Sequence, residues 1–198
     1  MPSIHLSDYE SNSLSYTENE RRFYLHRKEE GTHLRAYNID VSGAGNQYFK
    51  ALYAHPGHES NHQNRRSADG IYVGNFHENG RQIYFVLVVE LEGHARFEDA
   101  VEQVRGTLEH FCQNFQDDTL DDDGVRHHQQ AKQQPRPYMA QADHIVAGIV
   151  VGSQGRPGTL ARYKEWPIVC LSSRQPVQGF SPRDLFDEIA SYTGKKFW

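Results

Sequence analysis

The feature that most constrains the fold is Gln82–Leu91, a run that is almost entirely apolar and rich in β-branched and aromatic side chains. A run of this length, bounded by turn residues, predicts a strand that is buried on both faces in the middle of a sheet. Asn79-Gly80 precedes it, and Asn-Gly is the preferred pair for a two-residue hairpin turn. The alternation of Ile71 and Val73 before this turn therefore predicts an antiparallel partner strand.

The period of the apolar residues changes after this strand. From Phe97 to Phe115 they recur at helical spacing, which predicts an amphipathic helix lying on the sheet. Residues 144–151 and 166–171 read as two further strands, and Ser181-Pro182 is typical of a helix start. The sequence thus predicts an α/β fold with a mixed central sheet flanked by helices.

The length of 198 residues fits a single domain. Residues 1–20 are polar and acidic, and predict a loose N-terminal arm or a short helix. Residues 21–40 suggest two strands, whereas residues 42–66 read as a Gly-, His- and Asn-rich connection. Residues 116–142 have no periodicity and predict an exposed, flexible polar loop.

Composition narrows the class of protein. The formal net charge is −5, and the chain has no strongly basic tail of the kind that binds nucleic acid. Local basic patches matter more for such binding than the total charge. The two cysteines form no C-x-x-C pair, which suits a reducing compartment. The N-terminal residues do not resemble a signal peptide, and no apolar run is long enough to span a membrane. We expect a cytoplasmic protein without a membrane partner.

Three acidic residues flank the predicted hairpin. If Asn79-Gly80 is the centre of a two-residue turn, residues whose numbers sum to 159 face each other, and Asp69 lies opposite Glu90. Glu92 points to the same side as Glu90, because side chains alternate along a strand. A slip of one residue would turn Asp69 away from Glu90. In this register three carboxylates converge at one end of the sheet, an arrangement that suits Mg²⁺ or Mn²⁺.

The same stretch resembles a known family. An acid before a strand, a hydrophobic strand ending in VVELEG and the helix FEDAVEQVRGTLEHF are similar to the PD-(D/E)XK nuclease superfamily, with Ala68 where the family has Pro. In particular, the chain resembles small prokaryotic members in which an ELKG strand end precedes a helix with an A..Q pattern. The pattern spans residues 67–111, with 144–151 as the next core element. It implies a restriction-endonuclease-like fold and metal-dependent hydrolysis of phosphodiesters.

The resemblance also implies roles for individual residues. Asp69 and Glu90 would bind the metal ion together with the backbone carbonyl of Leu91, and Gln103 matches a helical Gln of some branches. The position of the family's catalytic Lys holds Glu92, and a carboxylate supplies no positive charge. Glu92 therefore either acts on the attacking water, as proposed for restriction enzymes with an E-x-E ending, or marks a site that has lost its chemistry.

Three basic residues lie near the predicted site. Arg65, Arg66 and Arg96 could hold a nucleic-acid backbone despite the negative total charge, or could simply keep the surface soluble. We expect DNA or RNA as the partner, and the sequence leaves a homodimer open.

Each site residue also has a plain structural interpretation. Asp69 could cap a turn, Glu90 and Glu92 could be solvated ends of a strand, and Gln103 could face solvent. One alternative function is an inactive nuclease-like fold that serves as a nucleic-acid-binding or protein-assembly module. Another is a protein–protein interaction domain that uses the aromatic side chains of residues 48–53.

Overall fold

The structure is a computed structural model that describes residues 10–18, 21–27, 32–39, 67–92, 96–113, 144–152, 156–172 and 179–198. The predicted connection 42–66, with Arg65 and Arg66, lies outside these residues. The predicted polar loop 116–142 also lies outside them.

The described residues form eight strands and two helices, which we number in chain order. The strands are β1 (Ser15–Glu18), β2 (Arg21–Tyr24), β3 (His33–Asn38), β4 (Gly70–Glu78), β5 (Arg81–Leu91), β6 (His144–Val151), β7 (Leu160–Tyr163) and β8 (Trp166–Leu171). The helices are α1 (Phe97–Gln113) and α2 (Pro182–Thr193).

Six of the described strands form one central sheet in the order β3-β4-β5-β6-β8-β7. Strands β3, β4 and β5 are antiparallel neighbours, β5, β6 and β8 are parallel, and β7 returns antiparallel to β8. The helix α1 follows β5 and precedes β6, as expected because a parallel pair needs a long crossover. The predicted α/β class with a mixed central sheet and flanking helices is therefore confirmed.

The β4–β5 hairpin has the predicted register. Asn79 and Gly80 form its turn with φ angles of 50° and 76°, the left-handed conformation that favours Asn and Gly. Glu78 pairs with Arg81, and the ladder continues without interruption to Gly70 opposite Val89. Every pair in this ladder sums to 159, so the register inferred from the turn is confirmed.

Both faces of the central sheet are covered. Val86 and Val88 of β5 enter a core with the apolar side of α1, whereas Phe85 and Leu87 enter a second core with α2 and the β1–β2 hairpin. Every residue from Phe85 to the end of β5 is buried. This confirms that the run is a central strand with two buried faces, and it leaves the strand ends as the places where polar chemistry can occur.

The prediction for residues 1–20 is wrong for the part that the structure describes. Ser15–Glu18 is a strand that pairs with β2, and Tyr16 at its centre is only 1% exposed. The sequence did not predict this strand, because one large buried aromatic residue among polar residues is too short an alternating pattern to indicate a strand. Leu160–Tyr163 was not predicted either, because this four-residue edge strand is at least partly exposed throughout and has no buried apolar face. Among the described residues, three strands rather than two therefore follow α1.

The start of α2 matches its sequence signals. Ser181 is the N-cap, and its Oγ accepts a hydrogen bond from the Asp184 backbone N–H at 3.1 Å. Pro182 begins the helix, and Gly194 ends it with a φ of 66°. None of the helices within the described ranges is long and apolar enough to cross a membrane.

Candidate functional site

Asp69 and Glu90 lie at the same end of the β4–β5 hairpin. The ladder ends at Gly70 opposite Val89, so Asp69 and Glu90 are the residues next to its last pair, one on each chain segment. Both side chains are buried, with 6% and 4% of their residue surfaces exposed. Two carboxyl groups held this close to a hydrophobic core are costly to ionise, and a bound cation is one way in which proteins offset that cost.

The backbone on both sides fixes Asp69. Its Oδ2 accepts a hydrogen bond from the Leu91 N–H at 2.6 Å, and its carbonyl accepts one from the Ile39 N–H at 2.8 Å. The first contact ties the carboxylate to the end of β5, and the second ties the main chain to the segment after β3. Asp69 is thus held by both strands that neighbour β4, on a rigid mount suited to a binding site.

Gln103, which the resemblance singled out, contacts Glu90. The Nε2 of Gln103 donates a hydrogen bond to Oε1 of Glu90 at 2.6 Å, across the interface between α1 and the sheet. A carboxylate has about four lone-pair positions, so this bond orients Glu90 and still leaves capacity for coordination. Of the alternatives open for Gln103, a side chain that only faces solvent is therefore excluded.

Thr107 is a site residue that the sequence reasoning missed. Its Oγ1 accepts a hydrogen bond from the Ala68 N–H at 2.8 Å, and the side chain is 0% exposed. Gln103 and Thr107 are four residues apart and so lie on one face of α1. One helix therefore fixes both acidic segments, Glu90 through its side chain and Asp69 through the preceding peptide. A hydroxyl within the apolar stripe of α1 was the available signal.

The ring of Tyr16 packs against Gly70, the residue that follows Asp69. Its hydroxyl lies 2.7 Å from the Tyr37 carbonyl and 2.9 Å from the Ile71 carbonyl, and a Cβ at Gly70 would overlap its ring. Burial raises the pKa of the Tyr16 phenol well above its usual value of 10.0, and the negative charge of Asp69 adds a smaller contribution in the same direction. The N-terminal hairpin therefore packs directly against the segment that carries Asp69.

Glu92 lies just beyond β5 and is partly exposed. Its N–H donates a hydrogen bond to the Val151 carbonyl at 3.0 Å, which fixes its backbone beside the end of β6. Within the ranges that the structure describes, no group of three or more His, Cys, Asp or Glu side chains is arranged to hold a metal ion. The predicted convergence of three carboxylates is thus not seen there.

The oxygen donors at this end of the sheet still suit a divalent cation. Asp69 and Glu90 supply two carboxylates, and the Leu91 carbonyl lies between Glu90 and Glu92 in the chain. Mg²⁺ commonly binds proteins through one or two carboxylates and completes its shell with water and substrate phosphate. A pair of carboxylates with a neighbouring carbonyl is chemically adequate for that role.

The arginines are distributed over several surfaces. Arg96 is exposed just before α1, and its carbonyl accepts bonds from the first turn of that helix. Arg105 pairs with Glu102 on the same helix and donates to the Arg162 carbonyl of the edge strand β7. Arg81 lies beside the hairpin turn, at the opposite end of the hairpin from Asp69. Of the three predicted nucleic-acid contacts, only Arg96 lies within the described residues.

No protein-family model, curated protein or solved structure matches this chain.

Proposed function

We propose that the protein is a metal-dependent nuclease of the PD-(D/E)XK type with a restriction-endonuclease-like fold. The observation that carries the proposal is the presence of two buried acids at one end of the β4–β5 hairpin: Asp69 directly precedes β4, and Glu90 is the next-to-last residue of β5. Burying a carboxylate costs free energy unless hydrogen bonds or a cation compensate it, and buried acids close together are typical of functional sites.

The chain order of the elements supports the same proposal. Asp69 precedes β4, β5 ends with Glu90 and Glu92 close together, α1 crosses over, and β6 lies parallel to β5. This is the order of the resemblance: acid, strand, strand with acidic end, helix and further core strand. The contact of Gln103 with Glu90 adds a third member of that pattern at hydrogen-bonding distance.

The residues divide the work in a simple way. Asp69, Glu90 and the Leu91 carbonyl would hold Mg²⁺ or Mn²⁺. The metal, when bound, activates water and stabilises the charge that develops on the phosphate. Gln103 holds the Glu90 carboxylate in orientation, and Glu92, partly exposed at the rim, orients or deprotonates the attacking water. DNA or RNA would be the substrate, with Arg65, Arg66 and Arg96 binding its phosphates.

The alternative function is a catalytically inactive nuclease-like fold that binds nucleic acid or assembles with other proteins, itself included. One observation favours it: the position of the family's Lys holds Glu92, which supplies no positive charge to the transition state. In that case Asp69 and Glu90 stabilise the hairpin end without chemistry.

A cleavage assay tests the proposal. Wild type is incubated with circular single-stranded DNA, plasmid and RNA in Mg²⁺ or Mn²⁺, beside Asp69→Asn and Glu90→Gln, which keep the shape of each side chain. Glu98→Gln is the matched control, since Glu98 is an exposed acid in the first turn of α1. We expect cleavage by wild type and the control, and a loss of about a hundredfold or more in the two site variants.

Two results would contradict the proposal. Folded wild type that cleaves none of the substrates in either metal would favour the inactive module. Cleavage that persists in Asp69→Asn would move the active site elsewhere. Calorimetry of Mg²⁺ and Mn²⁺ binding to the same variants separates a lost metal ion from a lost catalytic step.

A further inference from the structure

Arg21, the first residue of β2, reaches the carboxyl end of the parallel strands. Its side chain packs against Gly152, where an added Cβ would lie 2.7 Å from Cδ and 2.8 Å from Nε of Arg21. Gly152 also has a φ of 83°, a conformation that other residues rarely adopt. A glycine at this position therefore lets the long side chain of Arg21 lie against the main chain.

Gly152 directly follows β6 beside the candidate site. Leu91 pairs with Val151 across the parallel ladder, and the Val151 carbonyl accepts the hydrogen bond from the Glu92 N–H. Gly152 thus lies next to Glu92 at the carboxyl ends of β5 and β6. Arg21 thus lies against the main chain at this strand end on the hairpin side of the sheet, whereas Gln103 of α1 contacts Glu90 from the other side.

The Arg21 guanidinium has an unsatisfied donor. Its Nε is buried, and no hydrogen-bond partner for it exists among the residues that the structure describes. A buried N–H without an acceptor is unfavourable, and buried donors in native proteins are rarely left in that condition. An oxygen of an anionic ligand at the strand end would satisfy it, and Arg is the side chain best matched to phosphate oxygens.

We propose that Arg21 binds a backbone phosphate of the nucleic acid at this site, and so supplies the positive charge that Glu92 cannot. The proposal rests on the proposed nuclease function, because it takes the substrate class from it. It adds a residue outside the stretch 67–111 that carries the resemblance. It also explains how a site with Glu at the usual Lys position can still offer a positively charged side chain to the phosphate.

Arg22 provides a matched control on the same strand. Its Nε donates to the Ser15 Oγ at 2.9 Å, and its guanidinium lies 5.6 Å from the centre of the Tyr24 ring. Arg22 therefore has structural partners within the hairpin itself. Replacing either arginine by Met removes one positive charge from β2, so total charge and length are the same in the two variants.

The test compares wild type, Arg21→Met, Arg21→Lys and Arg22→Met. Three quantities are measured: Mg²⁺ affinity by calorimetry, kcat and KM of cleavage, and the affinity for a single-stranded oligonucleotide by anisotropy in Ca²⁺. In Arg21→Met we expect unchanged Mg²⁺ affinity and a loss of about a hundredfold in kcat/KM, with Arg22→Met close to wild type. Arg21→Lys keeps the positive charge but loses the two-pronged hydrogen-bonding geometry of the guanidinium. Its kcat/KM is expected to lie between those of Arg21→Met and wild type.

The outcomes separate the two proposals. Active wild type with equal kcat/KM in Arg21→Met and Arg22→Met overturns the role of Arg21 and leaves the nuclease intact. Wild type that does not cleave, but loses oligonucleotide affinity in Arg21→Met alone, overturns the nuclease and supports phosphate binding. Wild type that neither cleaves nor binds overturns both. If Arg21→Met does not fold, the test rests on Arg21→Lys. A kcat/KM of Arg21→Lys equal to that of wild type would then contradict the proposal.

Discussion

The Thr107 hydroxyl accepts a hydrogen bond from the Ala68 backbone N–H, so a helix residue positions the peptide that precedes Asp69. One turn earlier on α1, Gln103 binds Glu90. The two acidic segments come from different strands but share a single helical support. The residues of α1 thus contact both acidic segments, in addition to the strands that hold them.

Replacing Thr107 by Val tests this support. Valine has nearly the same shape but leaves the buried Ala68 N–H without its acceptor, so the free energy of unfolding should fall by about 1–3 kcal/mol. Thr107→Ser is the control, because it keeps the hydroxyl and loses only a methyl group, worth about 1 kcal/mol or less. Urea unfolding measures both. A Val variant as stable as the Ser variant would contradict the importance of this bond.

Replacing Gly70 by Ala tests the packing of the N-terminal hairpin on the Asp69 segment. The new methyl group would overlap the Tyr16 ring, and overpacking of this kind typically costs about 1–3 kcal/mol in the free energy of unfolding. A double-mutant cycle with Tyr16→Leu gives the control. In the Tyr16→Leu background the same Gly70→Ala change should cost clearly less. Equal costs in both backgrounds would show that the ring is not the obstacle.

Alkaline pH should destabilise the protein through its buried tyrosines. Burial raises the pKa of both Tyr16 and Tyr72 above the usual 10.0, so each favours the neutral phenol in the folded state. Their stabilising effect is complete below pH 10.0 and is lost as the pH rises above that value. Urea midpoints across this range, together with tyrosinate absorbance, measure the effect. Tyr16→Phe should have a shallower decline, and an unchanged slope would contradict the assignment.

Replacing Glu92 by Lys tests whether the site lacks only a positive charge. If the protein is a nuclease, Lys at this position adds a cation beside the phosphate, and cleavage should rise by about tenfold or more over Glu92→Gln. Glu92→Gln is the control because it removes the negative charge without adding a positive one. A Lys variant no faster than the Gln variant would contradict this, and wild type faster than both variants would indicate that the carboxylate itself acts on the water.

The central hairpin could be predicted because its information is local. Asn79-Gly80 determines the turn type, and the turn determines which residues face each other, so Asp69 could be set opposite Glu90 from the sequence. The helical period predicted α1, and the resemblance singled out Gln103, although its contact with Glu90 was not predicted. These are short-range patterns that survive in a single sequence.

The remaining parts of the site depend on contacts between distant segments. Tyr16 lies in a four-residue strand, and no nearby residue indicates that its ring will cover Gly70. Arg21 reaches Gly152 across more than half of the chain, and the hydroxyl of Thr107 in the apolar stripe of α1 does not indicate that its partner is Ala68. Tertiary packing alone assigns these roles, which is why the sequence reasoning missed them.

The position of Tyr16 has a consequence for how the site is assembled. Its hydroxyl donates a hydrogen bond to the carbonyl of Ile71, 55 positions later in the chain. The packing around Asp69 therefore forms only when these two distant segments come together. Loop closure of this kind costs conformational entropy, which the contacts formed afterwards must offset. The stretch 67–111 is therefore not an autonomous unit. A peptide limited to that stretch would retain both acids in sequence but lack the aromatic cover that holds the first of them in place.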